Sequence, residues 1–220
     1  MKKLIFPILT LLSLNSYAQV AGLTISNSHQ VDREGRVFRG KEPRKLISEL
    51  PGIGITDVII FKNDVKGEVV TEIAGLKKLN ITPYHIPFKW KDYPSMQLAC
   101  EQIVNAINII KEVKANKGKV FIHCTAGEDR TGTLAGLYRM LEEKISSRVA
   151  FQEEMCDRGF SDGNQHKPAL VIEAIEKELT PLFVVLSKRV ELGEWKLGSL
   201  TKNSCLNLKL APTQVRCSSL

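Results

Sequence analysis

The ten residues from His123 to Gly132 constrain this chain more than any others. Lys119-Val120-Phe121-Ile122 leads into them as a short apolar strand. Thr133 to Leu141 leads out with the apolar spacing of a helix. Strand, tight loop and helix N-terminus in that order point to an α/β sheet with the loop at the carboxyl end of a central strand. Cys124 and Arg130 lie six positions apart on the loop. Gly127 and Gly132 mark points where the backbone turns sharply or comes close to a ligand.

Such a junction is an anion site. Loop N–H groups converge on one point, and the helix dipole adds positive potential there. The same groups stabilise a thiolate, so Cys124 is expected to ionise at neutral pH. Arg130 has the fork geometry to grip two oxygens of a phosphoryl group. No Gly-Lys-Ser/Thr ending is present, which excludes a nucleotide-binding phosphate loop.

His123, Cys124, Arg130 and Thr131 resemble the signature of the cysteine-dependent protein tyrosine phosphatase superfamily: His-Cys, five residues, Arg, Ser/Thr. The resemblance covers roughly residues 36–180. Phe38-Arg39-Gly40, Ile86-Pro87 and the two loops look most like the dual-specificity branch. It implies a two-step mechanism. Cys124 attacks phosphorus to form a phosphocysteine, and a carboxylic acid protonates the leaving oxygen. The carboxylate then activates water. Phe88-Lys89-Trp90-Lys91-Asp92-Tyr93-Pro94 resembles the family's Trp-Pro-Asp loop, with Lys91 where the proline would stand, and makes Asp92 the candidate acid. Arg130 and the loop Thr125-Ala126-Gly127-Glu128-Asp129 would hold the phosphoryl oxygens. Thr131 would stabilise the departing thiolate, and His123 would orient the loop without acting as a base. No metal or other cofactor is implied. The four histidines show no metal-ligand spacing.

The rest of the chain supplies the expected scaffold. Strands are predicted at 36–40, 55–61, 81–86 and 119–122. Helices are predicted from Pro43, over Glu68 to Leu79 with Asn80 as cap, over Ser95 to Asn116, and through the catalytic loop to about Ile145. More helix is expected from a Ser147 cap to Gly159, over Pro168 to Leu179, and from Thr180-Pro181. Strands alternating with helices, then helices alone, argue for a central mixed, mostly parallel sheet flanked by helices. Cys205 to Leu210 alternates like a further strand.

Residues 1–18 read as a signal peptide: Met1-Lys2-Lys3, a short apolar core, and small residues ending at Ala18. A phosphatase domain over 19–195 and a C-terminal extension over 196–220 are then expected in an exported, periplasmic or secreted protein, with no membrane segment in the mature form. Loss of Lys2 and Lys3 lowers the net charge from +7 to +5. The basic residues are scattered, which argues against a nucleic-acid partner. The oligomeric state stays open. An odd count of five cysteines leaves at least one free, and Cys124 must be free to act. Cys205 and Cys217 are close enough in sequence to form a pair.

The expected substrate is a small phosphate ester. An exported, bacterial-looking member of this layout resembles the tyrosine-phosphatase-like phytases, which implies inositol polyphosphates. Lys62, Lys89, Lys91 and Lys167 flank the pocket as possible contacts for non-reacting phosphates, or as ordinary surface lysines. The alternatives are a protein tyrosine or dual-specificity phosphatase, a phosphoinositide phosphatase, and a non-catalytic binder of phosphorylated ligands. Glu128 stands where related lipid phosphatases carry a lysine, which weakens the phosphoinositide reading.

Overall fold

A computed structural model of the chain describes residues 20–88, 96–209 and 213–219. The expected signal peptide lies outside them, as do Lys89, Lys91 and Asp92. The strands are β1 (His29–Gln30), β2 (Val37–Lys41), β3 (Asp57–Ile60), β4 (Thr82–His85) and β5 (Val120–Cys124). The helices are α1 (Glu68–Lys78), α2 (Met96–Ala115), α3 (Asp129–Glu143), α4 (Ser147–Ala150), α5 (Ala169–Lys177) and α6 (Leu179–Glu191).

The sheet runs β1-β2-β5-β3-β4, so β5 is central. Only the β1–β2 pair is antiparallel. The sheet is thus mixed and mostly parallel, as the sequence pattern predicts. Every residue of β5 is buried, because helices cover both faces. Alternation along the strands separates two cores. Val37, Ile59, Val120 and Ile122 pack with α2, α3 and α6. Phe38, Val58, Ile60 and Phe121 pack with Leu50, Val69 and Leu76 on the other face. The predicted stripe of α2, from Ala99 through Ile103, Ala106 and Ile110 to Val113, is wholly buried. Each large apolar side chain so covered contributes about 1.5–3 kcal/mol.

Three segments depart from the predicted pattern. The element after Pro43 is a 3-10 helix, Arg44–Ile53, that runs through Pro51 and ends at Gly54 with φ 80°. Proline has no N–H to donate, and the looser 3-10 pattern absorbs that loss. The helix begun at Ser146, whose hydroxyl accepts from the Val149 N–H, passes from α4 into a π turn, Phe151–Met155, then a 3-10 turn, Cys156–Arg158. Burial of Phe151, Glu154 and Met155 together accompanies that widened turn.

The tail differs most. Lys202–Cys205 is a 3-10 turn with a Thr201–Ser204 capping box, and no strand follows it among the described residues. Trp195, Leu200 and Cys205 are buried against the main core and hold this segment in place. The cysteines pair Cys100 with Cys205 and Cys156 with Cys217, not Cys205 with Cys217. The extension is therefore stapled to α2 at one point and to the 156–163 region at another. Among the described residues no helix is long and apolar enough to cross a membrane.

Candidate active site

Cys124 ends β5, is 2% exposed and is the free cysteine. Its loop lies at the carboxyl edge of the sheet, where Lys41 of β2 is its register partner. Arg130, in the first turn of α3, reaches back over the loop. Its Nη2 donates to the Thr125 hydroxyl at 3.1 Å, and Nη1 donates to the Phe88 carbonyl at 3.3 Å. Burial pushes the Cys124 thiol up. The Arg130 charge and hydrogen bonds from the Thr131 hydroxyl and N–H outweigh it, so the thiol sits below its ordinary value.

The carbonyls of the loop are held from behind. The Cys124 carbonyl accepts from His123 Nδ1 at 3.1 Å, and the Thr125 carbonyl from the Glu42 N–H at 3.5 Å. The Gly127 carbonyl accepts from Arg39 Nη2 at 2.6 Å and from Asn27 Nδ2 at 2.9 Å. The Glu128 carbonyl accepts from the Gly132 N–H at 2.7 Å and Arg39 Nη2 at 3.4 Å. A trans peptide points its N–H opposite the preceding carbonyl. The N–H groups of Thr125, Ala126, Glu128 and Asp129 are thereby turned the other way, into the cradle. Gly127, at φ 72°, makes this possible: a Cβ there would stand 2.3 Å from the Gly40 carbonyl.

The posts behind the loop are buried ions. Arg39 is wholly buried and also donates to the Glu154 carbonyl and, at 3.0 Å, to Glu154 Oε2. Glu154 further meets His29 Nε2 at 3.3 Å and Arg139 Nη1 at 2.9 Å. Burial pushes its carboxyl up, but the hydrogen bond from His29 and the nearby cations bring it down to about 2. Burial brings His29 down to about 4, so it is neutral at neutral pH. His123 lies 2.8 Å from Glu72 Oε1, and although burial pushes it down, Glu72 raises it above its ordinary value. A ring held at Nδ1 by a carbonyl and paired through Nε2 with a carboxylate orients the loop and is unsuited to act as a base.

Several predicted contacts take other roles. Glu128 and Asp129 turn their carboxylates away from the cradle, toward residues 159–167. Lys167 grips both, so its ammonium is spent on the loop itself and not on a non-reacting phosphate. Lys62 is 3% exposed and bound between Glu42 and Glu68, at 3.0 Å from each. It lines the pocket but as a neutralised charge. That pocket is a cleft of about 810 Å³, opening beside Arg130 and Thr125. Arg44, Lys45 and Lys66 stand exposed at its rim, and Ile47 and Val65 give it apolar walls. Among the described residues no cluster of side chains suits a metal ion.

Sequence reasoning missed Arg39 as a support, and Glu154, Asn27 and Glu72 altogether. Two signals were present: a charge inside the apolar strand Val37-Phe38-Arg39-Gly40, and a carboxylate at position 72 in step with Val69 and Leu76. Glu154 and Asn27 gave none, being 115 and 100 residues from their partners.

This fold, with a cysteine and an arginine on one phosphate-sized loop, defines a phosphatase of the cysteine-dependent class. The dual specificity phosphatase catalytic domain model matches residues 38–167, more than half the chain, and the protein belongs to that family. It carries the catalytic domain of the cysteine-dependent phosphatases. Tyrosine-protein phosphatase 69D of Drosophila melanogaster is 28% identical over 145 residues, 62% of this chain and 9% of that protein, so the chain spans under a tenth of that relative's length. Among solved structures, Tk-PTP in a mutant form has a TM-score of 0.53 at 22% identity over 75% of this chain and 97% of its own. TpbA of P. aeruginosa gives 0.53 at 16% identity over 79% and 98%. The core catalytic domain of the PP-IP phosphatase SIW14 from S. cerevisiae, in complex with citrate, gives 0.50 at 22% over 85% and 98%. At these identities the likeness is one of fold.

Proposed function

We propose that the protein is an exported phosphomonoesterase acting on inositol polyphosphates such as myo-inositol hexakisphosphate. The observation that carries the substrate reading is the cleft. A cradle for one phosphoryl group needs no 810 Å³ annex, and this one bears Arg44, Lys45 and Lys66 at its rim. Cations spaced beyond the reacting group suit a ligand with several phosphates. The likeness in fold to SIW14, a PP-IP phosphatase, is consistent with that class. Export is supported by the Cys100–Cys205 and Cys156–Cys217 disulfides, which persist in oxidising compartments, and by the leader-like residues 1–18.

In the mechanism we assign, the Cys124 thiolate attacks phosphorus and the ester oxygen departs with a proton from Asp92. Water, deprotonated by the same carboxylate, then cleaves the phosphocysteine, and Thr131 donates to the returning thiolate. Arg130 and the inward N–H groups carry the charge on the remaining oxygens. Asp92 is four positions after Phe88 in sequence, and the Phe88 carbonyl accepts from Arg130 Nη1 at 3.3 Å. A second reading, a phosphotyrosyl peptide, is favoured by the apolar walls Ile47 and Val65, which suit an aromatic ring.

The test is phosphate release, in chelator, from inositol hexakisphosphate and a phosphotyrosyl peptide side by side, with Cys124→Ser as blank. A higher kcat/KM on the inositol ester is expected. Preference for the peptide overturns the substrate reading, and turnover by Cys124→Ser overturns the mechanism.

A further inference from the structure

Two consecutive carboxylates sit inside a loop built to bind anions. Asp129 lies close enough to oppose ionisation of Cys124. Glu128 is the N-cap residue of α3, next to the same helix end. Left uncompensated, both would compete with a thiolate and repel a phosphate dianion at short range.

Lys167 lies against both. Its Nζ is 2.9 Å from Glu128 Oε2, 2.5 Å from Asp129 Oδ1 and 2.8 Å from the Gly159 carbonyl. It donates to Asp129 and to the Gly159 carbonyl and forms an ion pair with Glu128. The side chain is 6% exposed, so little solvent screens the arrangement. The seat is shaped around it. Asp129 Oδ1 also accepts from the Ser161 N–H at 3.1 Å, and Asn164 Nδ2 lies 3.4 Å from Glu128. Gly159, at φ 87°, leaves room for Glu128, whose Cδ would be 3.1 Å from a Cβ there.

We propose that Lys167 is a positioning residue of the reaction: the internal counter-ion of the catalytic loop, cancelling Glu128 and Asp129 so that the cradle stays anion-binding. This rests on the reading of Cys124 as nucleophile. The other charged groups around the cradle are Arg130 on α3, Arg39 on β2 with Glu154, His29 and Arg158 behind it, His123 on β5 with its partner Glu72 on α1, and Lys62 held between Glu42 and Glu68. Arg39 also attracts Asp129 at longer range, but among the described ion pairs Lys167 is the cation in direct contact with both carboxylates.

The test follows alkylation of Cys124 by iodoacetamide against pH, together with inhibition by inorganic phosphate. The other four cysteines are in disulfides, so labelling reads Cys124 alone. Lys167→Gln is expected to raise the alkylation midpoint by about one pH unit and to weaken phosphate inhibition about tenfold. Lys167→Arg, and the triple variant Glu128→Gln, Asp129→Asn, Lys167→Gln, should both return toward wild type. An unmoved midpoint in Lys167→Gln, or a shift that the triple variant does not reverse, reduces Lys167 to a brace for residues 159–167 and overturns the proposal. Where Lys167→Gln does not fold, Glu128→Gln with Asp129→Asn decides: the uncancelled lysine should lower the midpoint, and no change overturns the idea. Turnover in Cys124→Ser would refute the nucleophile reading instead, a separate outcome.

Discussion

The two sides of the catalytic loop are built in opposite ways. The front opens to a cleft of about 810 Å³ with exposed cations at its rim, where Thr125 and Arg130 share the lining with Glu72 and with Lys62 between Glu42 and Glu68. The back is closed. There the wholly buried Arg39, with Glu154, His29 and Lys167, takes up loop carbonyls and carboxylates through contacts of about 3 Å. The comparison teaches that the anion site is made from behind. Fixing the carbonyls outward is what turns the N–H groups inward, and it is done before any phosphate arrives.

The largest expected effect comes from breaking the back. Arg39→Met leaves Glu154 buried with fewer cations and leaves the Gly127 carbonyl with Asn27 as its remaining donor. A loss of about 3–5 kcal/mol in urea unfolding is expected, together with loss of turnover. Gly127→Ala should abolish turnover by a different route, since its Cβ would collide with the Gly40 backbone at 2.3 Å. Full activity in either variant would show that the back does not shape the cradle.

Acid should also open the back before the front. Folded His29, brought down to about 4, holds its proton less tightly than an unfolded histidine at 6.5. Its stabilising contribution is therefore complete above pH 6.5 and lost as pH falls toward 4. Glu154, brought down to about 2 from 4.5, adds a second loss between those values. Thermal melts from pH 7 to 3 should fall steadily, by roughly 3 kcal/mol for the histidine step. His29→Gln should flatten the upper part of that fall; an unchanged profile would remove His29 from the account.

The smallest effect belongs to the front. Lys45→Ala with Lys66→Ala should raise KM for an inositol polyphosphate severalfold and leave kcat on a small aryl phosphate unchanged, because exposed charges act weakly and through solvent. Equal effects on both esters would place the rim outside substrate recognition.

Much of the front was legible in sequence. Cys124, Arg130 and the glycines of the loop are neighbours along the chain, so spacing alone reports their geometry. The sheet was legible for a similar reason. The runs at 58–61 and 120–122 are apolar throughout, and burial on both faces demands that. The departures came where a distant partner overrode local pattern. The alternation at 205–210 suggested a strand, but the Cys100–Cys205 bond and the burial of Trp195 and Leu200 bind that segment to the helices. Lys167 read as a phosphate contact or a surface lysine because nothing nearby in sequence shows that Glu128 and Asp129 fold back to meet it.

By itself, then, the sequence determined the chemistry that needs only a few consecutive residues: a thiolate at a helix N-terminus, an arginine one turn on, and the α/β layering around them. The tertiary structure alone decided how that chemistry is held. Arg39 reaches Glu154 across 115 positions, Cys156 joins Cys217 across 61, and Lys167 meets Asp129 across 38. A buried charge must find its partner wherever the fold brings one, and no periodicity along the chain encodes that meeting.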